Sequence, residues 1–425
     1  MKIAFISYEY PPDTALGGIS TYVHHAARML KRCGHYVEVF CGSLEREGAQ
    51  FENDILVHRV RLSAAEEMRS FGVRVAPVFA ERHGAVNGFD VLESPELNAE
   101  ACESLALVTE IPLVIKLHTP TYLIARYTAP EMNASQKLRF ALGALRQGCR
   151  PRFPKNEDLS KRNEFERRFA HCADEIVAPS VAIGNMVRED WDLPHDRLAV
   201  VPLPFEPQQN LLSLRPESDT MRVLYMGRLE PRKGVQHLAV AVPEILRAYP
   251  KAKFRFVGQV LHSPQQGRSM DEFIRSKVGP NNLSSLEFVG QVFPRQIAKH
   301  LAVSTICVFP SVWESFGYVC LEALSSGRAV VGSSSGGMSE IMDRGRAGLL
   351  VPPQNPKELA HAVIRLFNEP QLRYSLGIAG RKRVLETYSY NAIVPLQMAS
   401  YQRAIARRKS VGPRSPTQIP LRPVA

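Results

Sequence analysis

Two series of short apolar runs, each separated from the next by a helical pattern, occupy most of this chain of 425 residues. The first series opens at residues 2–7, before a helical pattern at 20–32, and the second opens at residues 221–227, before one at 235–249. Parallel strands cannot be joined by tight turns, so this alternation predicts parallel strands with crossover helices. We therefore expect an α/β protein with two doubly wound sheets, whose carboxyl ends face each other across a ligand-binding cleft.

Further apolar runs predict the other strands. They lie at residues 37–40, 54–60, 89–93, 113–118, 175–178 and 199–201 in the first series, and at 254–257, 286–289, 306–309, 329–331 and 348–351 in the second. Four prolines between residues 202 and 218 interrupt the pattern, as is typical of a linker. The predicted division is an N-terminal domain at 1–204, a linker at 205–218 and a second domain at 219–387.

Two segments follow the second series. Residues 388–407 show a helical pattern with a basic end, and we expect this helix to pack back on the N-terminal domain. Residues 408–425 are rich in proline and arginine and lack the apolar residues that a packed segment needs. The tail is therefore predicted to be disordered.

The charge of the chain indicates an acidic partner. Net charge is +11, and residues 137–168 hold ten Lys or Arg against four Asp or Glu. A helix predicted at 134–147 could lie on an anionic membrane or pack into the core, and both readings stay open. Nucleic acid is disfavoured because aromatic residues do not interleave the basic ones. No apolar run approaches the roughly 20 residues of a bilayer span, so we expect a cytoplasmic protein, peripheral on the inner membrane face if the basic segment binds lipid.

The segment at 314–322, ESFGYVCLE, carries two glutamates eight residues apart directly after a predicted strand. Eight helical residues rotate about 80° past two full turns, so Glu314 and Glu322 cannot share one face of a regular helix. They converge only if Glu314 lies in a loop and Glu322 lies in the helix that follows. Gly317 would let the backbone approach a ligand, and the amides at the start of this helix favour an anion.

This segment resembles the Glu-x7-Glu motif of retaining glycosyltransferases of the GT-B fold, family 4. Three other segments resemble that family in the same order: a glycine pair before a helix at 17–18, GRLEPRKG at 227–234 and SGGMSE at 335–340. The resemblance covers about residues 1–404 and implies two Rossmann-like domains, the first on the acceptor side and the second binding the donor. It implies transfer of a hexose from a UDP-, GDP- or ADP-sugar to an acceptor hydroxyl, with retention of anomeric configuration and without a protein nucleophile.

The residue types suit such a donor. Negative charge grows on the leaving diphosphate as the glycosidic bond breaks, and Arg228 and Lys233 would supply cations there. The resemblance assigns Glu314 to hydroxyls of the donor sugar, Glu322 to the ribose hydroxyls and His118 to a contact beside the donor sugar.

The resemblance also implies donor contacts through the backbone. Phe316 and Gly317 would contribute amides, and the nucleobase would rest beside Val289 and Gly290. The N-terminal glycines Gly17 and Gly18 open a helix whose positive end could receive a phosphate, although an ordinary glycine turn is an equal alternative. Glu340 is open between a site role and a helix cap.

Several alternatives limit this interpretation. Asp190-Trp-Asp192 matches a metal-binding string but ends a helical run, so we predict transfer without metal or cofactor. A non-catalytic nucleotide-sugar-binding protein is the main alternative; an NAD-dependent oxidoreductase is less favoured because no GxGxxG follows the first strand. Residues 203–206 replace the family's Asn-Gly-Val-Asp turn, so the acceptor, lipid-linked or a growing glycan, stays open.

Overall fold

The computed structural model describes residues 1–14, 17–63, 70–128, 156–216, 218, 220–265, 267–420 and 422. Its first half contains an eight-stranded sheet with the strand order β3-β4-β2-β1-β5-β6-β7-β8. The strands are β1 (Lys2–Ile6), β2 (Tyr36–Ser43), β3 (Gly48–Glu52), β4 (Ile55–Arg61), β5 (Val91–Pro95), β6 (Leu113–Lys116), β7 (Glu175–Ala178) and β8 (Leu198–Val200). All neighbours pair in parallel except β3, which is antiparallel to β4.

Helices cover this first sheet. They are α1 (Gly18–Arg32), α2 (Phe71–Ala85), α3 (Cys102–Leu107), α4 (Thr121–Thr128), α5 (Asn156–His171) and α6 (Val181–Trp191). The residues of β6 and β7 are buried throughout, as expected for strands with both faces covered. The predicted helix at 134–147 lies outside the described residues, and so does most of the basic segment 137–168.

The second half contains a six-stranded parallel sheet of order β11-β10-β9-β12-β13-β14. Its strands are β9 (Arg222–Met226), β10 (Lys253–Val257), β11 (Leu286–Gly290), β12 (Ile306–Phe309), β13 (Ala329–Ser333) and β14 (Leu349–Val351). Its helices, after the short α7 (Gln209–Leu212) in the connection, are α8 (Val235–Ala248), α9 (Met270–Val278), α10 (Ile297–Ala302), α11 (Tyr318–Ser325), α12 (Met338–Ile341), α13 (Pro356–Asn368) and α14 (Pro370–Arg383). The two parallel-dominated sheets agree with the predicted fold class.

The last helix, α15 (Tyr390–Val411), returns from the second sheet to the first. Gln397 and Tyr401 each donate a hydrogen bond of 2.8 Å to the Oε2 atom of Glu93, which is buried in β5. The hydroxyl of Tyr22 in α1 donates to the other oxygen of Glu93. Because the carboxylate of Glu93 is buried and accepts hydrogen bonds from three side chains, this polar network holds the helix on the N-terminal sheet.

The tail after α15 differs from the expectation of disorder. Arg414 is buried and donates to Asp174 and, at 2.7 Å, to the carbonyl of Ile111. Arg422 pairs with Glu103 of α3. The prediction of a disordered tail was wrong for residues 408–420 and 422, because arginines that read as solvated in the sequence meet carboxylates of the N-terminal domain, of which Asp174 is buried.

Among the described residues, no helix combines the length and the apolar character needed to cross a bilayer.

Candidate active site

Basic and acidic side chains meet where β9 and β12 end. The Lys233 ammonium donates to Oε2 of Glu314, and Nη1 of Arg232 lies 3.8 Å from Oε1 of the same carboxylate. Oε1 of Glu230 lies 3.0 Å from Nη2 of Arg232 and 3.2 Å from Nη2 of Arg228. These five groups carry three positive and two negative charges, so the cluster has an excess of one positive charge before any ligand binds.

Burial sets the electrostatics of this cluster. Burial would raise the pKa of Glu314, but the charges of Lys233 and Arg232 hold that pKa below its ordinary value. Burial also lowers the pKa of Lys233, against the attraction of Glu314. Arg228 has 45% of its side chain exposed, so it is the member of the cluster best placed to meet a ligand.

Two glycines make this arrangement possible. Gly234 has φ +69°, and a Cβ there would lie 1.8 Å from the carbonyl oxygen of Pro310. Gly336 has φ +66°, and a Cβ there would lie 2.1 Å from the carbonyl oxygen of Glu314. Because no side chain fits at either position, the loops that carry Lys233 and Glu314 pack backbone to backbone.

Glu322 lies in α11 and is partly exposed, while Glu314 lies in the preceding loop, as the spacing predicted. The Oε2 atom of Glu322 is buried without a hydrogen-bond partner, and burial raises the pKa of the Glu322 carboxyl to about 8. Buried polar atoms are normally satisfied, so an unpartnered oxygen here suits a group whose partner is a ligand.

The four residues predicted to contact the donor through their backbone all lie in the second domain. Phe316 is buried against Tyr318 and Tyr388, with ring centroids 5.8 and 5.6 Å away. Gly317 has φ +129° and precedes Tyr318, the first residue of α11. Val289 and Gly290 are the last two residues of β11. All four therefore lie at the carboxyl ends of strands or in the loops that follow.

His118 follows β6 at the carboxyl edge of the first sheet. Its backbone amide donates to Glu96 at 2.9 Å, and its ring lies 5.2 Å from that of Tyr22 in an edge-on arrangement. Burial, together with the charge of Lys116, lowers the pKa of His118 to about 3. The imidazole is therefore neutral at physiological pH and can donate one hydrogen bond and accept another.

Gly17 caps α1 and Gly18 is its first residue, so the glycine pair opens a helix as predicted. The backbone amide of Ser20 already donates to Oε2 of Glu9 at 3.3 Å. Burial raises the pKa of Glu9, and the amides of this helix and the charge of Arg228 oppose that rise. A carboxylate thus lies at the helix end where a phosphate was one expectation, and it lies within electrostatic reach of Arg228 in the other domain.

Glu340 joins the two domains. Its carboxylate accepts hydrogen bonds of 2.9 Å from the backbone amides of Val181 and Ala182, at the start of α6. The hydroxyl of Ser180 donates to the carbonyl of Ser315 at 2.8 Å. Glu340 therefore caps a helix of the N-terminal domain, whereas the sequence left it between a site residue and a cap of its own helix.

The Asp190-Trp-Asp192 string lies away from these residues. Asp190 is in the last turn of α6, at the end opposite to Val181, and lies 3.4 Å from Arg126. Asp192 is exposed and ends the helix in a left-handed conformation. Within the described ranges, no three His, Cys, Asp or Glu side chains lie close enough to hold a metal ion.

Comparison with known proteins identifies the family of this chain. The model for glycosyl transferases of group 1 matches residues 220–369, and the model for the glycosyl transferase 4-like domain matches residues 17–204. The chain belongs to the group 1 glycosyltransferases, as the sequence motifs predicted. The glycosyltransferase activity is that of the family, and this rules against the oxidoreductase alternative.

Individual relatives match nearly end to end. The MMP alpha-(1->4)-mannosyltransferase of Mycolicibacterium hassiacum is 26% identical over 96% of this chain and 99% of its own length. Sucrose-phosphate synthase from Thermosynechococcus elongatus superposes with a TM-score of 0.70 at 23% identity, covering 95% of this chain and 99% of its own. The catalytic domain of Starch Synthase IV from Arabidopsis thaliana, bound to ADP and acarbose, gives 0.67 at 13% identity, covering 95% and 99%. These structures confirm the GT-B fold.

Sequence reasoning missed several residues that surround the predicted ones. Two of them, Glu230 and Arg232, lie in the GRLEPRKG segment. Charges of both signs alternate in this loop, and the sequence does not indicate which of these side chains are buried. Glu9 precedes two prolines and carried no signal except its position after the first strand. Tyr22 and Glu93 read as ordinary helix and strand residues, and only the return of α15 brings their partners to them.

Proposed function

We propose that this glycosyltransferase uses a nucleoside-diphosphate sugar and transfers a hexose with retention, without a metal ion or cofactor. The observation that carries the proposal is the presence of an exposed cation in the loop after β9 together with an unpartnered carboxyl oxygen in α11. Arg228 is 45% exposed with a net positive cluster behind it, and Glu322 has a buried oxygen without a partner. A diphosphate next to a ribose needs groups of these two kinds.

Each side chain would act on one part of the donor. Arg228 would bind diphosphate oxygens through its planar guanidinium, and Lys233 would add a point charge. These cations would stabilise the charge that the leaving diphosphate gains in the transition state. Glu322 would hold the ribose hydroxyls, and Glu314 hydroxyls of the sugar.

The first domain would present the acceptor. His118 is neutral and lies at the carboxyl edge of the first sheet, one residue before Thr119, whose hydroxyl lies 3.2 Å from that of Ser315. The acceptor hydroxyl would approach on the face that the diphosphate leaves, and a leaving phosphate oxygen would accept its proton. The bond to the diphosphate breaks as the bond to the acceptor oxygen forms, which accounts for retention without a protein nucleophile. Contact of the basic segment 137–168 with an anionic membrane stays part of this proposal as a route to a lipid-linked acceptor.

A nucleotide panel tests the donor. UDP, GDP and ADP, without divalent ions and with EDTA, should be compared by thermal shift, since a ligand of the native state raises Tm. One of the three should bind, and Arg228→Ala and Lys233→Ala should each weaken it by about 10-fold or more. Arg365→Ala, which removes an exposed cation paired with Glu369, is the matched control and should bind as wild type does. Binding that appears only with Mn²⁺ would contradict the metal-free proposal.

Turnover separates an enzyme from a binding protein. The wild type should release sugar from the matching nucleotide sugar slowly into water, and NMR of the first-formed sugar should show the donor's anomeric configuration. Tight nucleotide binding without any hydrolysis or transfer would favour the non-catalytic alternative.

A further inference from the structure

Arg232 is a buried cation with unused hydrogen-bond donors. Only 6% of the residue is exposed, and its Nη2 atom donates to Glu230 at 3.0 Å. Its Nε and Nη1 atoms are buried and have no hydrogen-bond partner. A buried N–H group without a partner is costly, so two on one guanidinium call for an explanation.

The unused donors lie beside Glu314. Nη1 of Arg232 is 3.8 Å from Oε1 of Glu314, outside hydrogen-bond distance but close enough to be an ion pair. The backbone amide of Val312 donates to the carbonyl of Arg232 at 2.9 Å, which ties the two loops together directly before Glu314. A small rotation of either side chain would therefore make the missing hydrogen bond without any movement of the backbone.

Lys233, which now forms the hydrogen bond to Glu314, has a second role in the proposed function. Lys233 donates to Oε2 of Glu314, and the proposed function requires the same ammonium to bind the donor's diphosphate. If Lys233 turned to the diphosphate and nothing replaced it, Glu314 would be a buried carboxylate close to two new negative charges. Such a carboxylate takes up a proton, and one of its oxygens then becomes a hydrogen-bond donor toward the sugar hydroxyls instead of an acceptor.

We infer that Glu314 exchanges its hydrogen bond with Lys233 for one with Arg232 when Lys233 turns to the donor's diphosphate. Arg232 then keeps Glu314 charged and fixed in place through Nη1, while Nη2 stays on Glu230. Arg232 is a positioning residue, since it acts on the donor sugar only through Glu314. This inference rests on the proposed function, because it assumes a diphosphate ligand.

The other groups around Glu314 cannot take this part. Arg228 also lowers the pKa of Glu314 through its charge, but it is the exposed residue proposed to bind the diphosphate. Tyr225 and Cys320 face the carboxylate, and burial raises the pKa of both well above neutrality. Both are uncharged at physiological pH, so among the described cations that act on Glu314, Arg232 is the one that remains.

Proton uptake on nucleotide binding tests the inference without any turnover. Calorimetry of UDP, GDP and ADP binding at pH 7, in buffers of different ionisation enthalpy, counts protons taken up per nucleotide. Arg232→Met should bind the matching nucleotide within about 3-fold of wild type, and it should take up about one proton more than wild type. Arg232→Lys restores a cation and should remove most of that extra uptake. Arg232→Gln, uncharged but polar, should behave like Arg232→Met and guards against a packing defect of methionine.

Turnover supplies the second readout. In Arg232→Met, KM should change little, kcat should fall by about 10-fold or more, and the acidic limb of the kcat profile should move up by about one pH unit. Equal proton uptake in Arg232→Met and wild type would overturn the inference. Loss of nucleotide affinity as large as that of Lys233→Met would also overturn it, since Arg232 would then bind the diphosphate directly. If wild type binds none of the three nucleotides, the proposed function fails first, and the inference fails with it.

Discussion

Replacement of Glu322 by glutamine should stabilise the protein while weakening nucleotide binding. Burial raises the pKa of this carboxyl from 4.5 to about 8, and its Oε2 atom has no partner. At a pH between these two pKa values, the carboxyl is ionised in the unfolded chain but stays protonated in the native state. The native state therefore loses stability as pH rises from 4.5 to about 8, and the loss is constant above that range.

The magnitude follows from that gap. At 1.36 kcal/mol per pH unit, the cost is about 1 kcal/mol at pH 5, about 3 kcal/mol at pH 7 and about 5 kcal/mol at pH 9. Glu322 is partly exposed, so water offsets part of the cost, and we expect about half of each value. Glu322→Gln has no charge to bury, so its gain in free energy of unfolding over wild type should grow with pH in this way.

Urea unfolding at pH 5, 7 and 9 measures this gain, and nucleotide titration measures the loss of affinity in the same samples. Glu386→Gln is the matched control, since it removes the same charge from a side chain that is 64% exposed in the same domain. If the difference in free energy of unfolding between Glu322→Gln and wild type is the same at pH 5 and pH 9, burial of the ionised Glu322 carboxyl does not destabilise the native state. Unchanged nucleotide affinity would remove Glu322 from the donor site.

Three further changes test the scaffold. Gly234→Ala should lower Tm and abolish nucleotide binding, because its Cβ would lie 1.8 Å from the carbonyl oxygen of Pro310. Gly84→Ala is the control: its Cβ would have no atom within 4 Å, so Tm and nucleotide binding should not change. Glu340→Ala should let the domains separate; an unchanged radius of gyration by small-angle scattering would contradict this. Arg414→Ala should cost about 3 kcal/mol by urea unfolding and expose the tail to trypsin, and a tail as protected as in wild type would contradict its anchoring role.

The core strands could be predicted from the sequence because their signal is local. Strands buried on both faces, such as β7 and β12, need unbroken apolar runs, and both lie at the residues predicted for them. Strand β3 was not predicted. It is exposed at the sheet edge and is antiparallel to β4, so its residues need no apolar pattern.

The sequence by itself determined the two-sheet fold and the family, because strand burial and the glycine motifs act over a few residues. The tertiary structure alone decided which charges meet. Arg232 with Glu314, Glu340 with the start of α6, and Arg414 with Asp174 are each far apart in sequence. A charged side chain has no preference for burial until its partner is in place, so local pattern could not tell these residues from solvated ones.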